Sequence, residues 1–381
     1  MEGWKEFLEE RERRELLRRL VPSSARAPAV AVRGGRSFVD FSSNDYLGLS
    51  SHPALVRAAM GALQRYGVGA GASRLMSGDL DIHHELESAI ATFKGAEAAL
   101  VFNSGYQANT GIIPALFGRH DGVFADQRCH ASQLDGALLS RAKLLRFRHN
   151  DPEHLERLLT KHRAAFGRAL VMTESVFSMD GDRAPLTALL AVSRRHRCFL
   201  MVDEAHATGV FGPQGRGCVE AEGLSGQVEL VMGTFSKALG GFGAYLAAPR
   251  TVVEYLVNSA RSFIYTTALP AAVIAADLAA LSLCLSGETR GGELLRRAAA
   301  FRETLRAKGW RVGGESQIVP VTTGESALAV SLSRALAERG FLVLPVRPPT
   351  VPEGEARLRF SLTAAHTDRH LSDVAEALGA A

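Results

Sequence analysis

Lysine is scarce in this 381-residue chain: six of its 44 basic residues are lysine (Lys5, Lys94, Lys143, Lys161, Lys237, Lys308) and the other 38 are arginine. An arginine guanidinium stays protonated in a protein, so a step that needs a neutral amine falls to a lysine or to the amino terminus. Cysteine is also sparse. Cys129, Cys198, Cys218 and Cys284 stand far apart and make no C-x-x-C pair, which argues against a zinc site or a disulfide framework and fits a reducing compartment. No apolar signal core opens the chain; six glutamates precede residue 16, so neither a secretory signal nor an acid-poor transit peptide is expected. The longest apolar stretch, Ala268 to Leu285, contains Pro270 and Asp277 and reads as a buried helix, not a membrane span. Neither sign of charge dominates. The 44 basic and 40 acidic residues interleave, as in Glu9-Glu10-Arg11-Glu12-Arg13-Arg14, which is a solvated helix face and not a nucleic-acid arm. These absences together predict a cytoplasmic protein with no membrane or nucleic-acid partner and no resident metal.

What the chain does have is apolar content, 46%, enough for a large core. Trp4, Phe7, Leu8, Leu16, Leu17 and Leu20 follow helical spacing and predict an amphipathic entry helix over residues 4–20, ended by Pro22. Short apolar runs then alternate with helical stretches: Ala98–Phe102, Gly122–Ala125, Lys143–Phe147, Ala169–Thr173, Phe199–Val202, Leu230–Gly233 and Ala244–Ala247. Such alternation predicts an α/β fold around a mostly parallel seven-stranded sheet flanked by helices. Gly287 and Gly291-Gly292 mark a change of register, so the chain divides into an N-terminal helix and arm (1–45), a large domain (46–285) and a smaller C-terminal domain (286–381).

Ligands of open parallel sheets sit beyond the carboxyl ends of the strands. Four such ends carry chemistry. Asn103-Ser104-Gly105-Tyr106 opens a helix whose backbone amides suit a phosphate. Cys129-His130-Ala131-Ser132 brings an imidazole. Asp203-Glu204-Ala205-His206 places a carboxylate at the tip of an apolar strand, costly to bury unless something positive meets it. Thr234-Phe235-Ser236-Lys237 sets a rare lysine in an apolar, glycine-rich turn, where desolvation lowers its pKa toward what an imine-forming amine needs. An amine, a carboxylate, hydroxyls with amides, and a ring to stack are together what pyridoxal 5'-phosphate asks of a protein. Two other readings fail. The letters D-E-A-H suggest a helicase, but no Gly-Lys dipeptide exists for a phosphate loop, and Gly67-Val68-Gly69-Ala70-Gly71 follows a helical stretch, not the strand a dinucleotide fingerprint needs.

From about Arg18 onward the sequence resembles the α-oxoamine synthases of the aspartate-aminotransferase fold. The resemblance rests on Phe41-Ser42-Ser43-Asn44-Asp45-Tyr46-Leu47-Gly48-Leu49, Thr173-Glu174 with Val176-Phe177-Ser178-Met179-Asp180-Gly181-Asp182, Asp203 to Gly209, and Thr234 to Lys237. It implies a fold type I transferase with pyridoxal phosphate bound through Lys237, the ring nitrogen on Asp203, the phenolic oxygen on His206 and His130 stacked on the ring. Gly105, Tyr106 and Thr234 would serve the phosphate and Ser178 would lie beside the ring. It further implies a homodimer in which Thr266 or Thr267 of the second chain completes the phosphate cup. Arg347-Pro348-Pro349-Thr350-Val351-Pro352 resembles the alanine-using branch of biotin synthesis, which condenses L-alanine with pimeloyl-CoA or a pimeloyl-acyl carrier protein. Arg359 would take the amino acid carboxylate, and Arg18, Asn44, His130 and Thr350 would line the substrate side. Ser175 and Ser236 stand where the family commonly has glycine. Sister reactions on glycine or serine, and a non-catalytic scaffold of the same fold, are the alternatives.

Overall fold

The structure, a computed structural model, describes residues 1–14 and 16–381. Contacts divide it into two compact units. The smaller contains Met1–Asn44, Met179–Asp182 and Glu293–Ala381, and the larger contains Asp45–Ser178 and Arg183–Gly292.

In the smaller unit the opening helix runs only over Glu2–Arg13 and buries no residue. The apolar pattern over 4–20 thus overreaches, and Glu15 lies outside the described residues. The physical reason is that Trp4, Phe7, Leu8 and Leu20 stay exposed, and a short helix without a packed face is marginal in water. A meander of β1 (Ala25–Ala27), β2 (Val30–Arg33) and β3 (Arg36–Asp40) follows.

The larger unit is built on β4 (Ala98–Phe102), β5 (Gly122–Asp126), β6 (Lys143–Phe147), β7 (Ala169–Glu174), β8 (Phe199–Asp203), β9 (Leu230–Thr234) and β10 (Ala244–Ala248). They form one sheet in the order β4-β10-β9-β8-β7-β5-β6. All neighbours are parallel except β10, which runs antiparallel to both β4 and β9. The expected mostly parallel seven-stranded sheet is present. Five strands extend one residue past the apolar run, β10 by Ala248 and the other four by a polar tip that still pairs: Asp126 opposite Phe147, Glu174 opposite Asp203, Thr234 opposite Ala244. The chemistry-bearing residues at these tips are therefore fixed by the ladder itself.

Two helices follow strand tips directly. Gly105–Leu116 is capped by Ser104, whose Oγ accepts from the Gln107 N–H at 3.2 Å. Ala131–Ser140 has His130 at its cap. The two helices touch where Gly136 meets Asn109: a Cβ there would lie 2.6 Å from the Asn109 carbonyl oxygen, so only glycine permits the approach. The stretch read as a buried helix forms Ala271–Leu285, and among the described residues no helix is long and apolar enough to cross a membrane.

The smaller unit resumes with β11 (Ile318–Gly324), β12 (Phe341–Leu342), β13 (Pro345–Val346) and β14 (Ala356–Ser361). β12 adds in parallel to β3, while β11, β14 and β13 form a separate antiparallel sheet. Met179–Asp182 belongs here because Arg357 holds Asp180 at 2.7 Å and the Met179 carbonyl at 3.2 Å. Gly181 approaches so closely that a Cβ would sit 2.3 Å from the Ile318 carbonyl oxygen.

Candidate active site

At the carboxyl edge of the large sheet, Asp203 closes β8 with its side chain buried. One carboxylate oxygen accepts from Asn109 Nδ2 at 3.2 Å and the other from the Ala205 N–H at 2.9 Å. Among the described residues no cationic side chain lies within ion-pair distance of it. A buried carboxylate held only by neutral donors is an expensive arrangement unless a cation completes it.

Asn109 carries the arrangement outward. Its amide nitrogen also donates to Ser132 Oγ at 2.9 Å, and Ser132 Oγ meets His130 Nδ1 at 2.8 Å. The His130 ring is accessible at its outer face, yet the protein crowded around it holds its pKa below the usual imidazole value, with the Lys237 charge adding to that effect and the Asp203 charge opposing it. A neutral ring is thereby favoured. On the strand beside Asp203, Glu174 is buried, and its pKa is raised well above the carboxylate range, first by burial and then by the Asp203 charge.

His206, three residues past Asp203, is buried with Nδ1 2.6 Å from the Tyr46 hydroxyl, which fixes the plane of its ring. Lys237 is half-buried in the turn after β9. That turn is stapled by Thr234, whose hydroxyl donates to the Gly243 carbonyl at 2.7 Å and accepts from the Ser236 N–H at 3.1 Å. Tyr106 donates to Asp135 at 2.6 Å on the exposed first turn of the helix from Gly105. Thr266 and Thr267 hang beside that helix start, through Asn103 Nδ2 to Thr266 Oγ1 at 3.3 Å and to the Thr267 carbonyl at 2.8 Å. Ser178 is the last residue of the larger unit before the chain enters the smaller one.

The remaining candidates lie in the smaller unit. Arg359, buried in β14, donates to Ser361 Oγ at 2.5 Å and to Asn44 Oδ1 at 3.3 Å. Arg18 Nη2 donates to Thr350 Oγ1 at 3.2 Å, beside a hollow of about 380 Å³ lined by Arg11, Arg18, Arg347 and Thr350.

Asn109, Ser132 and Tyr46 do not stand out as individual residues in the sequence, although Ser132 and Tyr46 lie within the motifs given above and Asn109 follows Tyr106 by three residues. A polar amide facing inward four residues after Gly105 was the available signal.

A pyridinium N–H would supply a cation to Asp203, His206 and the Ser132–His130 pair would offer polar groups beside it, and the helix start at Gly105 suits a phosphate. The residues present therefore fit pyridoxal phosphate.

The profile of the aminotransferase class I and II family matches residues 36–378. The 8-amino-7-oxononanoate synthase of Geobacter sulfurreducens is 54% identical over 350 residues, covering 91% of this chain and 89% of that one. That of Methylobacterium nodulans is 49% identical, covering 95% and 92%. Among solved structures, the Sphingomonas wittichii serine palmitoyltransferase superimposes with a TM-score of 0.94 at 33% identity, covering 99% of this chain and 96% of that one. The Francisella tularensis 8-amino-7-oxononanoate synthase gives 0.77 at 32% identity, covering 90% and 96%. An SPT structure with PLP gives 0.91 at 34% identity, covering 94% and 91%. This chain belongs to the class I and II aminotransferase family and, within it, to the 8-amino-7-oxononanoate synthases.

Proposed function

We propose that this chain joins L-alanine to a pimeloyl thioester, releasing carbon dioxide and the free thiol and forming 8-amino-7-oxononanoate for biotin synthesis. The observation that supports the chemistry is the buried Asp203 carboxylate, which among the described residues has two neutral donors and no cationic side chain within ion-pair distance. The curated relatives at 49–54% identity over about nine tenths of the chain are 8-amino-7-oxononanoate synthases, which supports alanine as the amino acid.

Pyridoxal phosphate, when bound, supplies an electron sink for the bonds at the alanine α-carbon. The chain's own residues do the rest. Asp203 holds the ring nitrogen protonated, and Asn109 keeps that carboxylate in place. His130, favoured neutral, covers one face, and His206 donates toward the phenolic oxygen from a ring fixed by Tyr46. Gly105, Tyr106 and Thr234 serve the phosphate, with Thr266 or Thr267 of a second copy completing the cup in a homodimer. Lys237 would hold the cofactor in the absence of substrate, and its free Nζ would take the alanine α-proton and later return one. In balance, the α-carbon exchanges its carboxylate, lost as carbon dioxide, for a bond to the acyl carbonyl carbon, its proton is removed and replaced, and the acyl carbon releases the thiolate. Arg359 is the fork for the alanine carboxylate, and Arg18, Asn44 and Thr350 line the acyl side.

The test is thiol release from pimeloyl-CoA by the cofactor-loaded protein with L-alanine, glycine or serine, beside Lys237→Ala. Alanine-dependent release that disappears in Lys237→Ala is the expected result. Release with glycine or serine alone moves the chain to a sister reaction.

A further inference from the structure

Lys94 is the only buried lysine among the described residues of a chain that otherwise prefers arginine more than six to one. It ends the helix Asp81–Lys94, and its ammonium reaches Glu204 Oε2 at 2.7 Å, Thr208 Oγ1 at 2.9 Å and the Arg216 carbonyl oxygen. Three acceptors meet three N–H groups, so the ammonium is fully satisfied. A planar guanidinium with five N–H groups has no such match here, which accounts for a lysine against the composition.

All three acceptors belong to residues 204–216, the stretch that leaves Asp203 and carries His206. Glu204 is completely buried and its second oxygen accepts from the Val219 N–H at 2.8 Å. Thr208 in turn meets the Tyr245 hydroxyl at 2.8 Å, and Tyr245 lies on β10 opposite Gly233 of β9, the strand that leads to Lys237. A Cβ on Gly233 would fall 2.2 Å from that hydroxyl, so β9 and Tyr245 are packed without slack.

We propose that Lys94 is a positioning residue for the cofactor site: its three-point tether fixes the turn from Asp203 to His206, and its charge neutralises Glu204 so that no second carboxylate charge acts beside Asp203. The inference rests on the reading that Asp203 receives the cofactor ring. Removing Lys94 alone leaves Glu204 charged and unpaired, a strongly destabilising change, whereas removing both charges is far milder.

The experiment uses the cofactor-loaded enzyme and the variants Lys94→Met and Lys94→Met/Glu204→Gln, reading cofactor release into an excess of a scavenging apoenzyme, the pH dependence of the bound cofactor's visible absorbance, and the melting temperature. The double variant, which keeps the charge balance but loses the tether, is expected to release cofactor at least about tenfold faster, the scale of one lost hydrogen bond to a charged group. Where Lys94→Met folds, its absorbance transition lies at higher pH than that of the double variant, because the uncompensated Glu204 charge favours the protonated form. Release and absorbance unchanged from the parent in the double variant, whatever its melting temperature, would reduce Lys94 to a structural role and overturn the proposal. A parent protein that takes up no pyridoxal phosphate would instead overturn the functional reading on which it rests.

Discussion

Asp203 and Glu204 are consecutive, both buried, and solve the same electrostatic problem in opposite ways. Glu204 turns toward Lys94 and is fully paired inside the protein. Asp203 stands at the carboxyl edge of the sheet and, among the described residues, its carboxylate receives an amide and a backbone N–H and no cation. A fold that can supply a buried cation one residue away withholds it at Asp203, which is the arrangement expected where the counter-charge arrives with a ligand. A second comparison lies along β14 in the smaller unit. Arg357 is tied to the carboxylates of Asp180 and Glu355, at 2.7 and 3.0 Å, while Arg359, two residues on, donates to Asn44 and Ser361.

Asp203→Asn breaks the contrast most severely. It removes the charge, keeps an oxygen for the Ala205 N–H and turns an NH2 toward Asn109, whose own buried Oδ1 has no partner and can accept from it once that amide turns, so turnover is expected to fall about a thousandfold while the cofactor-free protein, relieved of a buried charge, melts no lower than the parent. Glu204→Gln reverses the pattern. It strands the Lys94 ammonium in the interior, and stability drops by about 3 kcal/mol in denaturant titration. A third buried titratable group avoids the problem by staying neutral. His366, stacked on Phe41 with ring centroids 4.2 Å apart, has its pKa lowered from 6.5 to about 3, first by burial. A base whose folded pKa is depressed contributes stability that is present above 6.5 and is lost as pH falls toward 3. Between pH 7 and pH 5 the parent should lose about 2 kcal/mol more than His366→Gln, read as diverging melting temperatures. Arg359→Lys sharpens the second comparison: losing the fork while keeping the charge should raise the KM for alanine about tenfold and change kcat less.

The sheet was legible because parallel strands buried on both faces are continuous apolar runs, and each of the seven runs became a strand. Direction was not. Nothing in Ala244–Ala248 distinguishes an antiparallel strand from its parallel neighbours, since burial is the same in either sense. Asp203 and Lys237 stand out in sequence because each contradicts its surroundings, an acid at an apolar tip and a lysine in an apolar, glycine-rich turn. Asn109, Tyr46 and Lys94 do not, because their meaning lies in partners 94, 160 and 110 residues away. The entry helix was overread for a related reason: helical spacing in Leu16, Leu17 and Leu20 records a tendency that needs a packed face, and the helix ends at Arg13 without one. Likewise, nothing local marks Met179–Asp182 as part of the smaller unit; the Arg357 contacts and the close approach of Gly181 to Ile318 decide it.

The most direct test of the account is a titration of the cofactor-free protein and of Asp203→Asn with pyridoxal phosphate, followed by visible absorbance. A tight, pH-responsive absorbance in the parent, with binding at least about tenfold weaker in Asp203→Asn and no loss of melting temperature before cofactor is added, is the predicted result. Equal binding and identical spectra in the two proteins would mean that the buried carboxylate has no ring to meet, and the account would fail at its centre.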